Sequence, residues 1–214
     1  MPTALITGTG RGLGKELARQ YAAEGWKVIG TERRPQAAYR LDVTNRKDLS
    51  RLAKRLKGEP IDLLLCNAGI YGPRGMQLGR LDYEAWMEVL RVNLLGPAAL
   101  IEALADNVAA SERKLVAVMS SRLGSIAEAS GSSFLYATSK AGLNALAKGL
   151  SVTLAGRSII VVALSPGWVR TDMGGDNAPL TPEQSVRGLR KVIAGLSKTD
   201  SGKFLSHDGT EIPW

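Results

Sequence analysis

The feature that most constrains the fold of this chain is a glycine-rich segment between its first apolar run and its first helical stretch. Residues Ala4 to Thr7 form a short apolar run, and residues 13–21 carry apolar side chains at the spacing of one helical face. Gly8, Gly12 and Gly14 connect the two. Glycines let the backbone come close to a phosphate, and a helix N-terminus presents unpaired N–H groups to it. The segment predicts a phosphate-binding unit, although a turn without a ligand would carry the same glycines.

The rest of the chain alternates apolar runs with helical stretches. The run Ile61 to Cys66 is largely apolar, as expected of a strand buried on both faces. Further strands are predicted at residues 26–32, close to residue 41, and at residues 114–120, 159–164 and 203–205. This alternation predicts an α/β fold, a Rossmann-type doubly wound parallel sheet in a single domain over residues 1–214. Only a loop fits between the second strand and Leu41, so the helix after that strand is expected to be missing.

Composition excludes several classes of protein. With 214 residues, 44% of them hydrophobic, the chain is long enough for one well-filled core and short for two. Cys66 is the only cysteine, which rules out an internal disulfide and a cysteine-only metal site, and no metal is expected. No apolar run approaches about twenty residues. Because the first strand follows the N-terminus without a leader pattern, we expect a cytoplasmic protein with no membrane partner.

The net charge of +8 is concentrated in residues 1–60, which contain thirteen Lys and Arg against six Asp and Glu. Such an excess attracts a phosphorylated cofactor, or nucleic acid without specificity. The basic helix predicted at Arg46 to Lys57 carries no aromatic side chains for base stacking. A solvated helix face is therefore the better interpretation, and no specific nucleic-acid partner is expected.

The stretch from Phe134 to Leu150 contains the candidate chemistry. Tyr136 and Lys140 are four residues apart, which places both side chains on one helical face. A phenol has a pKa of about 10, and a nearby ammonium is expected to lower it. The pair can then act as a general acid and base. The same spacing also fits a half-buried ring beside a solvated charge.

Five motifs in sequence order resemble the short-chain dehydrogenase/reductase family. They are T-G-x-x-x-G-x-G at Thr7 to Gly14, N-A-G at Asn67 to Gly69, Ser120-Ser121, Y-x-x-x-K at Tyr136 and Lys140, and Pro166-Gly167. The segments 120–126, 166–175 and 212–214 look like the C-factor-like or sniffer-like carbonyl reductase branch. The resemblance implies an enzyme that transfers a hydride between nicotinamide C4 of NAD(P) and the carbonyl or secondary alcohol carbon of a small molecule.

The resemblance also implies catalytic roles. Tyr136 would be the general acid and base, Ser121 would hold the substrate oxygen, and Lys140 would bind the nicotinamide ribose. The interval between Ser121 and Tyr136 is slightly longer than usual in the family, which leaves Ser120 and Ser125 open as alternatives. Asn93, inside a long helix predicted from Asp82 to about Ala105, would anchor a proton relay. A role in bonding the helix near Pro97 is the alternative.

The cofactor contacts implied by the family motifs extend along most of the chain. They are Gly8, Thr9, Arg11, Gly12, Leu13, Gly14, Glu32, Arg33, Asp42, Val43, Asn67, Ala68, Gly69, Tyr136, Lys140, Pro166, Gly167, Val169 and Thr171. Asp42 would accept from the adenine amino group, although a turn or a helix cap is an alternative use of this carboxylate.

Two signals conflict on the choice of cofactor. Glu32, at the end of the second strand, would accept from ribose hydroxyls and repel a 2′-phosphate, which favours NAD. Arg33 and Arg11 would pair with that phosphate, which favours NADP. We favour NADP slightly over NAD, because the two arginines can also turn Glu32 aside by pairing with it.

The sequence does not identify the substrate. Specificity is expected to reside in the loops at residues 70–81, 125–133 and 172–180, the last being a small substrate lid. An alternative function is an NAD(P)-binding sensor or signalling protein of the C-factor type with little turnover. Members of the family usually pair through their long helices, which leaves a homo-oligomer open for this chain.

Overall fold

The computed structural model describes residues 1–214 and contains one sheet of seven parallel strands in the order β3-β2-β1-β4-β5-β6-β7. The strands are β1 (Thr3–Thr7), β2 (Lys27–Glu32), β3 (Tyr39–Arg40), β4 (Leu63–Cys66), β5 (Leu115–Met119), β6 (Ile160–Ser165) and β7 (Phe204–Ser206). The helices are α1 (Gly12–Ala23), α2 (Arg46–Arg55), α3 (Tyr83–Leu90), α4 (Gly96–Ala109), α5 (Phe134–Thr153) and α6 (Pro182–Gly195). The predicted doubly wound parallel sheet is confirmed.

Helices cover both faces of the sheet, which explains the apolar runs. Successive strand residues point to opposite faces, so both faces of each central strand need apolar side chains. In β1, Leu5 packs into a core of 25 buried residues that includes side chains of α2, α4 and α5. Its neighbours Ala4 and Ile6 pack into a second core of 16 buried residues with α1 and α6. The result is a sheet between two helical layers.

The connection between β2 and β3 contains no helix, as predicted. Residues 33–38 form a loop, and β3 pairs with β2 over only two positions, Thr31 with Tyr39 and Glu32 with Arg40. Parallel neighbours normally need a crossover of about a dozen residues or more. A six-residue connection is too short for one, which fits the shortness of β3.

The long helix predicted from Asp82 to about Ala105 is present as a helical stretch that continues to Ala109, but it contains a π-helical turn that the sequence did not predict. Asp82 does cap a helix, accepting from the Ala85 N–H at 2.9 Å, but a π-helical turn at Arg91–Leu95 separates α3 from α4. In this turn the Gly96 N–H donates to the Arg91 carbonyl, five residues back. Pro97 follows directly and has no N–H with which to continue the α-helical pattern. π-turns of this kind occur frequently at functional sites.

The strand order reverses between β1 and β4, and ligands of such sheets bind outside the carboxyl ends of the strands at this point. The Gly8–Gly14 turn, residues 67–69 and residues 120–121 all follow strands at this edge. None of the helices combines the length and apolar character needed to span a bilayer.

Candidate active site

A crevice of about 480 Å³ opens along the carboxyl edge of the sheet. Most of the predicted cofactor contacts line it, namely Gly8, Arg11, Gly12, Leu13, Gly14, Glu32, Arg33, Asp42, Val43, Asn67, Ala68, Gly69, Tyr136, Lys140, Pro166 and Thr171. The predicted residues Thr9, Asn93, Ser121, Gly167 and Val169 are not part of its lining.

The glycine turn leaves space that side chains would fill. A Cβ at Gly14 would lie 2.1 Å from the Gly8 carbonyl oxygen, and Gly8 itself has φ +76°. Arg11 precedes α1, and its side chain does not cap the helix. The first N–H groups of α1 therefore lack a side-chain acceptor beside an open crevice. A pyrophosphate fits this arrangement of glycines and helix N-terminus.

Hydrogen bonds of Thr7 and Thr9 fix the glycine turn and the strand ends beside it. The hydroxyl of Thr9 donates to the Thr31 carbonyl at 3.4 Å, which ties the turn to β2 and turns Thr9 away from the crevice. The hydroxyl of Thr7 accepts from the N–H groups of Asn67 and Ala68 at 3.0 and 2.9 Å. Thr7 therefore fixes the ends of β1 and β4 together, a positioning role that the sequence motif did not reveal.

Glu32 is paired, but with an arginine other than the two predicted. Its Oε2 accepts from Arg34 Nε at 2.6 Å and lies 2.5 Å from Arg34 Nη2. Arg11 instead pairs with Asp172 at 2.5 Å, and Arg33 has no ion-pair partner within 4.0 Å. The expected pairing of Glu32 with Arg11 and Arg33 is therefore wrong, while the expectation that an arginine engages Glu32 holds.

Asp42 forms a local turn and still faces the crevice. Its Oδ1 accepts from the Thr44 N–H and hydroxyl at 2.9 and 2.7 Å, and Asn45 supplies the cap of α2. Burial acts to raise the pKa of Asp42, but the Thr44 hydrogen bonds and the charges of Arg33 and Arg40 lower it on balance. The carboxylate is thus ionised, and its Oδ2 is available to a ligand.

Tyr136 and Lys140 come together at the inner end of the crevice. Both side chains are buried, and Lys140 Nζ lies 5.5 Å from the centroid of the Tyr136 ring. Lys140 Nζ donates to the Met119 carbonyl at 2.7 Å. A Cβ at Gly69 would lie 3.6 Å from Lys140 Nζ and 3.2 Å from Asn93 Oδ1. The glycine of N-A-G therefore leaves room beside the lysine.

The pKa of Tyr136 is shifted in the direction opposite to the one predicted. Burial raises this pKa to about 12, a hydrogen bond with Ser121 opposes the shift, and Tyr71 adds to it. Burial also lowers the pKa of Lys140 to about 8. The prediction from the spacing of Tyr136 and Lys140 is wrong because it considered the charge and not the loss of solvent. Tyr136 is a neutral phenol at pH 7, a state suited to donating a proton.

The three candidate serines occupy different surroundings. Ser121 lies close enough to the Tyr136 hydroxyl to act on the pKa of the phenol, which it lowers, and its own Oγ accepts from the Leu123 N–H at 3.3 Å. Ser120 is buried and donates to Asn144 Oδ1 at 2.6 Å. Ser125 is also buried, and its Oγ accepts from the Glu128 N–H at 3.2 Å. Ser121 alone of the three meets the phenol.

Asn93 is buried in the π-turn and fully bonded. Its Oδ1 accepts from the Ile70 N–H at 2.9 Å, while its Nδ2 donates to the Ile70 carbonyl at 2.8 Å and to Ser139 Oγ at 3.0 Å. The side chain thus holds the strand-end loop against α5, one turn from Tyr136. Its side chain supports both the loop and the catalytic helix.

The segment that follows β6 forms one side of the crevice. Pro166 and Thr171 line it, whereas Val169 is buried and forms an isolated bridge with Leu180. Gly167 has φ +78°, and a Cβ there would lie 3.1 Å from the ring of His207. Gly167 and Val169 therefore support the corner without lining it.

Arginines on two sides hold the start of the predicted lid. Arg11 Nη1 donates to Asp172 Oδ2 at 2.5 Å, and Arg74 Nη2 donates to the Met173 carbonyl at 2.5 Å. Asp172 and Met173 line the crevice, a position that the sequence predicted only for the loop as a whole. These contacts place the segment across the crevice mouth.

A second cavity, of about 560 Å³, adjoins the crevice and shares Tyr136 with it. Its wall includes Tyr71, whose ring stacks on that of Tyr136 at 4.7 Å between centroids and 23° between planes. The Tyr71 hydroxyl shares a hydrogen bond of 2.5 Å with Ser133. Sequence reasoning missed Tyr71, and the only available signal was an aromatic residue two positions after N-A-G.

Comparisons with known proteins agree with this geometry. Residues 2–180 match the family model described as short chain dehydrogenase. The chain is 39% identical to C-signal of Myxococcus xanthus over 156 residues, 72% of this chain and 93% of that protein. A solved structure from Burkholderia multivorans with bound NADP is 33% identical, with a TM-score of 0.89, covering 100% of this chain and 99% of that one. The carbonyl reductase Sniffer of D. melanogaster is 31% identical, with a TM-score of 0.93 and full coverage of both chains.

Proposed function

This chain belongs to the short-chain dehydrogenase/reductase family and is an NAD(P)-dependent oxidoreductase, and we propose that it acts as a carbonyl reductase with Tyr136 as the general acid and base. Its substrates are small carbonyl compounds or the corresponding secondary alcohols. Nicotinamide C4 exchanges the hydride with the substrate carbon when the cofactor is bound. Residues 1–214 act in this proposal as one dinucleotide-binding domain.

The observation that carries the proposal is that Tyr136, Ser121 and Lys140 lie close together where two cavities adjoin. Ser121 is near enough to the Tyr136 hydroxyl to lower its pKa, Lys140 Nζ lies 5.5 Å from the tyrosine ring, and Tyr136 borders both the crevice and the second cavity. A cofactor in the crevice and a substrate in the second cavity would both reach Tyr136. Such convergence of a proton donor and a hydroxyl donor on one point suits reduction of a carbonyl group.

Each residue has a defined task in this mechanism. Tyr136 donates its phenolic proton to the carbonyl oxygen during reduction, and the Ser121 hydroxyl gives the same oxygen a second hydrogen bond. Below pH about 8, the Lys140 ammonium stabilises the phenolate that remains and binds the nicotinamide ribose hydroxyls. Asn93 holds the loop at Ile70 against α5, which keeps these groups in place and anchors the proton relay.

We favour NADP as the cofactor. Arg34 engages Glu32 through Nε and Nη2, which offsets part of the negative charge of this carboxylate in the crevice. Arg33 lines the crevice without an ion-pair partner and is available to a 2′-phosphate. The solved structure from Burkholderia multivorans contains NADP. NAD remains the second cofactor of this proposal.

A homo-oligomer formed through the long helices is part of the proposal. Tyr83 and Met87 of α3 and Leu95 of the following turn are 69%, 45% and 56% exposed. Apolar side chains of this size at the surface are suited to burial against a second copy. This pairing does not contribute to the mechanism above.

A second candidate is an NAD(P)-binding sensor or signalling protein. The observation in its favour is the 39% identity to a protein named C-signal. This function would require cofactor binding but little turnover.

One assay separates the two functions. NADPH and NADH oxidation is measured over a panel of aldehydes, ketones and quinones, with cofactor binding followed by fluorescence. A reductase oxidises the cofactor, and Tyr136→Phe lowers turnover by about 10²- to 10⁴-fold while cofactor binding is retained. Tyr83→Phe, which removes an exposed phenol on α3, is the matched control and keeps full activity. Binding without oxidation would support the sensor, and full activity of Tyr136→Phe would refute the acid and base assignment.

A further inference from the structure

The second cavity contains a single charged side chain. Thirteen residues line this cavity, from the loop at 71–78 and from residues 131–136 at the start of α5. Apolar side chains make up about half of the wall and include Met76, Leu78 and Phe134, and the remainder is polar or glycine apart from Pro73 and Arg74. Arg74 is the only Lys, Arg, Asp or Glu among the thirteen. A cation beside apolar side chains favours a ligand with an apolar body and an anionic group.

The charge of Arg74 is not neutralised by the protein. Its Nη2 donates to the Met173 carbonyl at 2.5 Å, and no carboxylate lies within ion-pairing distance. By contrast, Arg11, Arg34 and Arg122 each pair with an acidic side chain. A guanidinium has five N–H donors in a planar fork that matches a carboxylate. Most of the Arg74 donors are therefore free to bind an anion.

The guanidinium has a defined position relative to the reactive phenol. Arg74 Cζ lies 4.5 Å from the centroid of the Tyr71 ring, and Tyr71 stacks on Tyr136 at 4.7 Å. The hydrogen bond between Tyr71 and Ser133 fixes the middle ring of this stack. The cation is thus held two stacking distances from the proton donor, and one small molecule can contact both groups.

We propose that Arg74 is a specificity-determining residue that selects carbonyl substrates carrying a carboxylate at the end opposite the carbonyl group. This inference rests on the proposed reductase function and adds the substrate class. The carboxylate forms charge-assisted hydrogen bonds with Arg74, the apolar body lies against the cavity wall, and the carbonyl oxygen lies at Tyr136 and Ser121.

The test compares two substrates of nearly equal shape. The kcat/KM for 4-carboxybenzaldehyde and for its neutral methyl ester, methyl 4-formylbenzoate, is measured for the wild type, Arg74→Met, Arg74→Lys and Arg80→Met. The wild type is expected to prefer the carboxylate by about tenfold, mainly through KM, because only the carboxylate forms charge-assisted hydrogen bonds with Arg74. In Arg74→Met the ratio of kcat/KM for the carboxylate to kcat/KM for the ester falls to about one, because kcat/KM for the ester decreases much less. Arg74→Lys retains part of the preference. Arg80→Met removes an exposed arginine of the same loop and keeps the preference.

The outcomes distinguish this inference from the proposed function. A wild type without preference, or an Arg74→Met variant that keeps it, overturns the inference while leaving the reductase intact. Equal losses for both substrates in Arg74→Met assign Arg74 to holding Met173 and also overturn the inference.

Calorimetry with 4-(hydroxymethyl)benzoate gives a readout independent of turnover. If neither aldehyde is reduced but this carboxylate binds the wild type and not Arg74→Met, the function fails and the anion site stands. If it does not bind the wild type, both fail.

Discussion

At the residue scale, burial separates Ser121, the serine favoured from the sequence, from its neighbouring alternative Ser120. Ser120 and Ser121 are adjacent, yet Ser120 bonds to Asn144 inside the protein while Ser121 interacts with Tyr136. A hydroxyl already bonded at 2.6 Å in a buried site is not available to a substrate. Ser120 and Ser121 follow β5 directly. Because successive residues of a strand face opposite sides, the direction in which each side chain points decides which of the two hydroxyls is near Tyr136.

This difference predicts opposite effects of two neighbouring substitutions. Ser121→Ala removes a hydrogen bond to the substrate oxygen and is expected to lower kcat by about 10²- to 10³-fold with little change in stability. Ser120→Ala leaves Asn144 Oδ1 without its donor, although Nδ2 still donates to the Gly124 carbonyl, and is expected to lower the free energy of unfolding by about 1–3 kcal/mol while keeping activity. Steady-state kinetics and urea denaturation on both variants provide the measurement. A loss of activity in Ser120→Ala alone would reverse the assignment.

At the element scale, the short loop after β2 determines which charged side chains lie at the end of the crevice next to Glu32. The missing helix leaves residues 33–38 as a loop, and in this loop Arg34 turns back onto Glu32 while Arg33 stays unpaired. The carboxylate also lies against the glycine turn, since a Cβ at Gly10 would be 3.0 Å from Glu32 Oε2. Two adjacent arginines of the crevice therefore differ, because Arg34 pairs with Glu32 and Arg33 has no ion-pair partner.

A double-mutant cycle tests this division. The readout is the ratio of kcat/KM for NADPH to kcat/KM for NADH. Glu32→Ala raises the ratio, because it removes the group that repels a 2′-phosphate and binds ribose hydroxyls. Arg34→Ala lowers the ratio by about fivefold, the equivalent of ~1 kcal/mol for an exposed ion pair, because it frees Glu32.

The double variant Glu32→Ala with Arg34→Ala decides how Arg34 acts. If Arg34 works only through Glu32, the double variant has the same ratio as Glu32→Ala alone. A ratio well below that of Glu32→Ala would mean that Arg34 contacts the phosphate itself. No change of ratio in any variant would show that this loop does not select the cofactor.

At the scale of the whole molecule, the site depends on a buried lysine that opposes folding. Lys140 is 3% exposed and makes one hydrogen bond, to the Met119 carbonyl. Burial lowers its pKa from 10.5 to about 8, so keeping it charged in the folded protein costs free energy at neutral pH. A buried residue that destabilises the fold and lines the crevice is better explained by function than by packing.

Replacement of this lysine is expected to stabilise the protein and to abolish turnover. Lys140→Met should raise the free energy of unfolding at pH 7 by about 1–3 kcal/mol, after the loss of the bond to Met119 is counted. The gain should shrink as pH rises from 8 to 10.5, because in this window the unfolded wild type binds a proton that the folded wild type lacks. Urea denaturation of both proteins between pH 7 and 10 measures the difference.

Lys148→Met provides the control for this prediction. Lys148 lies two turns further along α5, is exposed, and donates to the Gly202 carbonyl at 3.3 Å. Its replacement should change stability little and should leave turnover intact. A Lys140→Met variant less stable than the wild type, or a difference that does not vary with pH, would contradict the account of a buried charge.

The sequence by itself determined the parallel sheet, the glycine turn, the absent helix and the family. Periodicity and glycine stereochemistry act over a few residues, and the order of motifs is read directly along the chain, so none of these needs the folded structure. The pKa of Tyr136, the partner of Glu32, the hydrogen bond from Ser120 to Asn144 and the stack of Arg74 on Tyr71 were decided only by the tertiary structure. Each depends on burial or on contact between segments far apart in the chain. The π-helical turn between α3 and α4 likewise brings Asn93 into contact with Ile70. Solvent exclusion in particular is a property of the folded molecule, which is why a four-residue spacing predicted the tyrosine but not the direction in which its pKa moves.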